Sequence, residues 1–183
     1  MIFVTVGTQL PFPRLIRAMD AFAETTAEPV HAQVGGDDSA AEHLVARDMI
    51  SPEEFDELFR SARLVVAHAG IGTILSAKRY GKPLIVMPRR HALQEHRNDH
   101  QMATVAALTH VPGIHIAWQT SDLFRLLSDH ALCPASSLPG PSKAALIDGL
   151  SRFIRQRERS AVLRGDLTDA SRYPAPPPER PSS

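Results

Sequence analysis

Short apolar runs alternate with segments of helical periodicity along most of the chain, and this alternation constrains the fold more than any other feature. Strands of a parallel sheet are buried on both faces, so they read as continuous apolar runs, and each needs a helical crossover to reach the next. The alternation therefore predicts a doubly wound α/β fold, in which helices cover both faces of one parallel sheet.

The apolar runs predict six strands, near residues 2–6, 30–34, 46–50, 63–68, 83–87 and 113–117. Helical patterns predict helices near residues 11–25, 52–61, 72–81, 98–109, 121–130 and 142–159. Ser51 before Pro52 is typical of a helix start, and Gly81 is typical of a helix stop. We expect one domain over residues 1–160 and a disordered, proline-rich tail over residues 161–183.

The formal charge of the chain is balanced, because 20 basic side chains (Lys and Arg) match 20 acidic ones. This balance gives no electrostatic footprint for nucleic acid, so we expect no nucleic-acid partner. A single cysteine, Cys133, cannot form an internal disulfide, which fits a reducing cytoplasm. No run reaches the roughly 18 apolar residues of a membrane span, and no signal peptide is evident, so we expect a cytoplasmic protein.

Two predicted strands, the first and the fourth, end in the glycine-containing turns VGTQLPF and AHAGIGT. In a doubly wound sheet these strands are neighbours where the strand order reverses, and ligands bind beyond their carboxyl ends. Gly70, Gly72 and Thr73 suit a diphosphate, because a turn that feeds a helix offers free amides without a nearby Cβ. His68 could donate a hydrogen bond to the same anion. Alternatively, these are plain turn glycines beside a buried structural histidine.

A dense polar stretch, PRRHALQEHRNDHQ, follows the fifth predicted strand and should open at the same edge of the sheet. Arg89 and Arg90 could hold a carboxylate or a phosphate through forked donors. The stretch also offers mixed donors and acceptors for sugar hydroxyls: Glu95, His96, Asn98, Asp99, His100 and Gln101. The alternative is a solvated loop that only caps the next helix.

Two other ligand classes fit the residues less well. A dinucleotide site would need G-x-G-x-x-G, but the first turn lacks it and Leu75 stands where the third glycine of the fourth-strand turn should be. His96 and His100 have metal-ligand spacing, but no H-E-x-x-H order and no distant ligand pair completes a site. We therefore expect neither a dinucleotide cofactor nor a metal.

Three segments in order resemble a known family: FVTVGTQLPFPRLI, VVAHAGIGTILSAKRYGKPLIVMPRR and EHRNDHQ. Together they are similar to the donor-binding subunit of split glycosyltransferases of the bacterial exopolysaccharide PssE type. The catalytic subunit of the eukaryotic dolichol-linked N-acetylglucosamine transferase and the C-terminal half of MurG, of glycosyltransferase family 28, are more remote. Over residues 1–160, the resemblance implies one Rossmann-like lobe, equivalent to the C-terminal half of a GT-B glycosyltransferase.

The resemblance also assigns residues to the donor site: Gly7, Thr8, His68, Gly70, Gly72, Thr73, His100 and Gln101. The local chemistry adds Arg89 and Arg90 to this set. Many relatives carry a glutamate for the ribose where this chain has Ser76, so Glu95 or a backbone group is left as the ribose contact. As catalytic candidates we take His68 at the diphosphate, and Glu95 and Asp99 as local general bases, unless another subunit supplies the base.

By the same resemblance, the function would be inverting transfer of a sugar from a UDP-sugar to a polyprenyl-diphosphate-linked saccharide, without a metal, in exopolysaccharide synthesis. The length suits one of the two GT-B lobes, so we expect a membrane-anchored PssD-like subunit to hold the lipid-linked acceptor and to bring this chain to the inner membrane. The two arginines favour UDP-glucuronate, although they equally suit the diphosphate or the partner. The alternatives are a non-catalytic subunit that binds a nucleotide sugar or stabilises its partner, and a free-standing enzyme such as a nucleotide-sugar epimerase.

Overall fold

The computed structural model describes residues 1–8, 10–36, 41–95 and 100–135, which belong to one compact unit, Met1–Leu138. Its strands are β1 (Ile2–Thr5), β2 (Val30–Gln33), β3 (Val45–Arg47), β4 (Leu64–Ala67), β5 (Leu84–Val86) and β6 (Ile114–Ile116). Its helices are α1 (Pro13–Thr25), α2 (Pro52–Ser61), α3 (Ile71–Tyr80), α4 (His100–Leu108) and α5 (Thr120–Leu127), with a 3₁₀ turn at His91–Leu93. The predicted helix over 142–159, the predicted domain end near residue 160 and the predicted tail lie outside the described residues.

All six described strands form one parallel sheet in the order β3-β2-β1-β4-β5-β6. The strand order reverses at β1, where Thr5 pairs with Gln33 of β2 on one side and with Ala67 of β4 on the other. This order confirms the predicted doubly wound fold and the predicted adjacency of the first and fourth strands. The carboxyl ends of β1 and β4 therefore form the crevice of the sheet.

The side chains of β1 alternate between two covered faces, as the period of a strand requires. Ile2 and Val4 belong to the apolar core that β1 shares with α1 and α5. Phe3 lies on the opposite face and makes edge-to-face contacts with Phe55 and Phe59 of α2, with centroid distances of 5.5 and 6.0 Å. Since each fully buried apolar side chain stabilises by about 2 kcal/mol, both layers fix the sheet.

The edge strand β3 is shorter than predicted. Its pattern suggested residues 46–50, but pairing with β2 ends at Arg47, and the Met49 side chain is 58% exposed. An edge strand has a neighbour on one side only, so apolar residues at its end are not held in the sheet.

Local signals set the ends of two helices, as predicted. The Ser51 hydroxyl caps α2 by accepting a hydrogen bond from the Glu54 amide at 3.2 Å, and Pro52 takes the first helical position. Gly81 ends α3 in the left-handed conformation with φ +59°. Because α2 and α3 each begin at the carboxyl edge of the sheet, their first turns lie beside the crevice.

Candidate functional site

A cavity of about 570 Å³ opens at the carboxyl ends of β1 and β4. Eight of the residues predicted to bind the donor line it: Gly7, Thr8, His68, Gly70, Gly72, Thr73, Arg89 and Gln101. Ser76 lines it as well. The two glycine-containing turns thus face one space.

Buried polar side chains hold the turn that follows β1. The Thr5 hydroxyl donates to Oε1 of its strand partner Gln33 at 2.8 Å and accepts from the Gly7 amide at 3.2 Å. Both side chains are at least 97% buried. Since a buried polar group needs a partner, this pair fixes the direction in which the chain leaves β1.

His68 lies between the two turns. A Cβ on Gly7 would stand 2.7 Å from Cε1 of the His68 ring, and a Cβ on Gly70 would overlap Nε2 of the same ring. Gly7 also has φ +79°, a conformation that side chains disfavour. Glycine at these two positions therefore makes room for the imidazole of His68.

Gly72 has a different environment, although it lies only two residues after Gly70. It is the second residue of α3, and a Cβ placed on it would meet no atom within 4 Å. The amides of a first helical turn lack partners within the helix and carry the positive end of its dipole. With Thr73 buried beside it, this turn offers an anion open access to backbone donors.

Arg89 is bonded to the backbone. Its Nη1 donates to the carbonyl of Pro11 at 2.6 Å, and its Nη2 donates to the carbonyls of Val6 and Leu10 at 2.9 and 2.6 Å. Burial lowers the pKa of Arg89 to about 10, against the opposing effect of Glu95, so the side chain is charged at neutral pH. Its forked donors, which we predicted to hold an anion, contact the turn between β1 and α1.

Arg90 and Glu95 are not among the described lining residues of this cavity. Nη2 of Arg90 donates to the carbonyl of Trp118 at 2.5 Å. The carboxylate of Glu95 accepts two hydrogen bonds from Arg14, at 2.6 and 2.8 Å, and one from the Arg90 amide at 2.9 Å. Glu95 instead lines a second cavity of about 520 Å³, and Leu10 lines both.

Part of the predicted site lies outside the described residues. This applies to His96, Asn98 and Asp99, so the general-base role of Asp99 stays a prediction. Of His100 only the backbone is described, as the first residue of α4. The next residue, Gln101, is buried, and its Oε1 accepts from the Arg89 amide at 3.0 Å.

One wall of the cavity was missed by the sequence prediction. Gln33 at the end of β2, together with Ile50, Pro52 and Phe55 around the start of α2, also lines it. The Ser51–Pro52 helix start was a usable signal, because in a parallel sheet a helix that follows a strand begins at the carboxyl edge.

The described lining residues of the 570 Å³ cavity include Arg89 but no aspartate or glutamate. Within the part of the chain that the structure describes, no cluster of three or more His, Cys, Asp or Glu residues is arranged for a metal. In the same part, no helix combines the length and apolar character that crossing a membrane requires.

The sheet order and the cavity at its reversal define a Rossmann-like α/β domain with a crevice at the switch point. Residues 1–129 match the model of the glycosyltransferase family 28 C-terminal domain, and the chain belongs to that family. Its homologues are glycosyltransferases, and its fold is the single GT-B lobe that the sequence predicted. Among curated proteins, no sequence matches the chain.

Solved structures with the same fold include ALG13, with a TM-score of 0.56 and 19% identity, where the match covers 79% of this chain and 93% of ALG13. The calicheamicin glycosyltransferase CalG4 has a TM-score of 0.51 and 19% identity, over 92% of this chain and 44% of CalG4. The kitacinnamycin glycosyltransferase has a TM-score of 0.51 and 18% identity, over 90% of this chain and 42% of its own. The chain thus spans less than half of the two larger proteins.

Proposed function

We propose that this chain is the donor-binding subunit of a two-component glycosyltransferase and that its 570 Å³ cavity holds the diphosphate of a UDP-sugar. One observation carries the proposal: the first turn of α3 opens on the cavity at Gly72, beside His68. That arrangement combines backbone donors, a helix dipole and an imidazole at one point.

The proposed chemistry uses these groups in the transition state. As the bond between sugar and diphosphate breaks, negative charge grows on the leaving diphosphate, and donors already aimed at it stabilise that charge most. The amides of Gly72 and Thr73 and the ring of His68 are suited to this task. Because these donors already face the cavity, we propose that no divalent metal is needed and that donor binding survives EDTA.

The wall formed by Ile50, Pro52 and Phe55 suits a flat uracil ring, with Gln33 and Ser51 as polar neighbours. A cavity that pairs an apolar wall with a few polar groups fixes both the affinity and the orientation of such a ring. We therefore place the base on the α2 side and the diphosphate on the α3 side.

A separate subunit would supply the acceptor side of the inverting transfer. Glu95 is a poor general base, because its carboxylate is paired with Arg14. Ile71 and Leu75 leave 38% and 55% of their surface exposed on α3, beside the cavity, and offer an apolar face for a partner. We propose a PssD-like, membrane-anchored partner that carries the lipid-linked saccharide of exopolysaccharide synthesis and holds this chain at the inner membrane.

For the donor sugar we keep glucuronate as the first choice. Since Arg89 is held by carbonyls, the support rests on its neighbour Arg90, which lies outside the described lining of the cavity and is bonded through Nη2 to Trp118. Titrations with UDP-glucuronate and UDP-glucose test this choice. Arg90→Gln should weaken the binding of UDP-glucuronate but not that of UDP-glucose. Equal affinity of the wild type for both donors would refute the choice of glucuronate.

Calorimetric titration of UDP into wild type and Gly72→Ala tests the proposed site. Alanine suits a helical position and meets no atom of the protein, so the variant should fold normally. Its Cβ would occupy the space that the phosphate needs, and we expect affinity to fall about tenfold. Glu57→Ala, an exposed substitution on α2, is the control. Absence of UDP binding by the wild type, or unchanged affinity in Gly72→Ala, would refute the proposal.

One observation favours a second candidate, a non-catalytic subunit that binds a nucleotide sugar or stabilises its partner. The described lining residues include no carboxylate that could serve as a general base. The two candidates differ in His68→Ala, measured in the complex reconstituted with the partner. Turnover should drop at least tenfold if His68 stabilises the leaving diphosphate, and it should be unchanged in a non-catalytic subunit.

A further inference from the structure

Arg89 bonds three carbonyls of a single turn. The carbonyls of Val6, Leu10 and Pro11 all belong to the segment between β1 and α1. They accept hydrogen bonds from both terminal nitrogens of Arg89, which is only 2% exposed. The guanidinium carbon also lies 4.8 Å from the centre of the Phe12 ring. Three carbonyls and a ring face thus surround one planar cation, which fixes the course of the turn.

A second interaction joins the loop after β5 to α1, which follows this turn. The Arg14 guanidinium, at the start of α1, makes the two-pronged contact with Glu95 and donates to the Pro88 carbonyl at 2.9 Å. Side chains of Arg14 and Glu95 are 19% and 9% exposed, so solvent screens this pair less than a surface pair. The loop after β5 is therefore tied to the β1–α1 turn by Arg89 and to the start of α1 by Arg14.

The β1–α1 turn also carries Gly7 and Thr8, which line the donor cavity. Arg89 borders the same cavity, but its side chain is buried and its terminal nitrogens are bonded to the carbonyls of this turn. A rigid support of this kind decides where a binding group points, and small displacements of such a group cost affinity.

We propose that Arg89, supported by the Arg14–Glu95 ion pair, is a positioning residue for donor binding: it fixes the β1–α1 turn so that the backbone of Gly7 and Thr8 faces the diphosphate. This inference rests on the proposed function. It gives Arg89 and Glu95 an indirect role in place of the direct ligand and base roles that the sequence suggested.

Arg89→Lys separates shape from charge, because lysine keeps the positive charge but has one nitrogen for three spread carbonyls. We expect UDP affinity to fall about tenfold and the amide NMR signals of Gly7 and Thr8 to shift. The signal of Gly81, at the far end of α3, should stay in place. Arg63→Lys is the matched control: this arginine forks onto Glu28 before β4, outside the described lining of the cavity, and its loss should leave UDP affinity unchanged.

The outcomes are distinct. Failure of the wild type to bind UDP would refute the proposed function and with it the donor role of Arg89. Binding by the wild type with a Kd in Arg89→Lys within twofold, or with unmoved Gly7 and Thr8 signals, would overturn the positioning role alone. If Arg89→Lys does not fold, Glu95→Gln decides: we expect about threefold weaker UDP binding, and unchanged binding overturns the inference.

Discussion

Gly70 and Gly72 lie two residues apart, but each position has glycine for a different structural reason. The ring of His68 occupies the space where a side chain on Gly70 would start, whereas Gly72 borders open space. The pair shows that a glycine-rich turn at a cavity combines two demands, room for a neighbouring side chain and room for a ligand.

Gly70→Ala should therefore destabilise the fold. Gly70 has φ −86° and ψ 130°, which alanine adopts without strain, so the loss would come from the contact with His68. We expect unfolding free energy to fall by about 1–3 kcal/mol in urea denaturation. In a double-mutant cycle with His68→Ala, most of this loss should disappear, since the ring is gone. Unchanged stability of Gly70→Ala would contradict this account of the turn.

At the scale of elements, an ion pair joins the starts of two strands at the amino edge of the sheet. Glu28 precedes β2 and Arg63 precedes β4, and the arginine donates to both carboxylate oxygens at 3.1 and 2.7 Å. These hydrogen bonds, against the opposing effect of partial burial, lower the pKa of Glu28 from 4.5 to about 2.

Because the pKa of Glu28 is lowered in the folded state, the unfolding free energy should decrease as the pH falls. The charged form of Glu28 stabilises the folded state above pH 4.5, and this stabilisation is lost as the pH falls toward 2. We expect Glu28→Gln to lose about 1–2 kcal/mol of unfolding free energy at neutral pH, after allowance for screening, and to match the wild type near pH 2. Urea denaturation from pH 2 to 7 measures the difference in unfolding free energy between the two proteins, with Glu57→Gln as an exposed control. A difference that does not change with pH would contradict the assignment.

Ligand binding and folding of the domain are linked. If the cavity binds UDP only in the folded state, UDP at a hundred times its Kd should add about 2.7 kcal/mol to the unfolding free energy. Thermal denaturation should show a Tm that rises with UDP concentration in the wild type and rises less in Gly72→Ala at equal concentration. A Tm that UDP does not change would count against a donor site in this lobe.

Which of the predicted site residues face the cavity depends on contacts between distant segments of the chain. Arg89 donates to Val6, 83 residues earlier, and Arg14 pairs with Glu95, 81 residues later. The sequence predicted that Arg89 and Glu95 lie near the carboxyl edge, but the partners of each come from a different element. Because of these partners, Arg89 and Glu95 support a turn, although the sequence suggested them as direct site residues.

Local signals in the sequence predicted most of the described elements, the doubly wound order and the edge at which the cavity lies. Burial periodicity, the Ser51 cap and the Gly81 stop act within a few residues, so they can be read locally. Only the folded structure shows that His68 fills the space beside Gly7 and Gly70 while Gly72 stays open, and that the start of α2 also lines the cavity. Such contacts depend on how distant segments approach each other in space. The spacing of hydrophobic residues along the chain does not predict those distances.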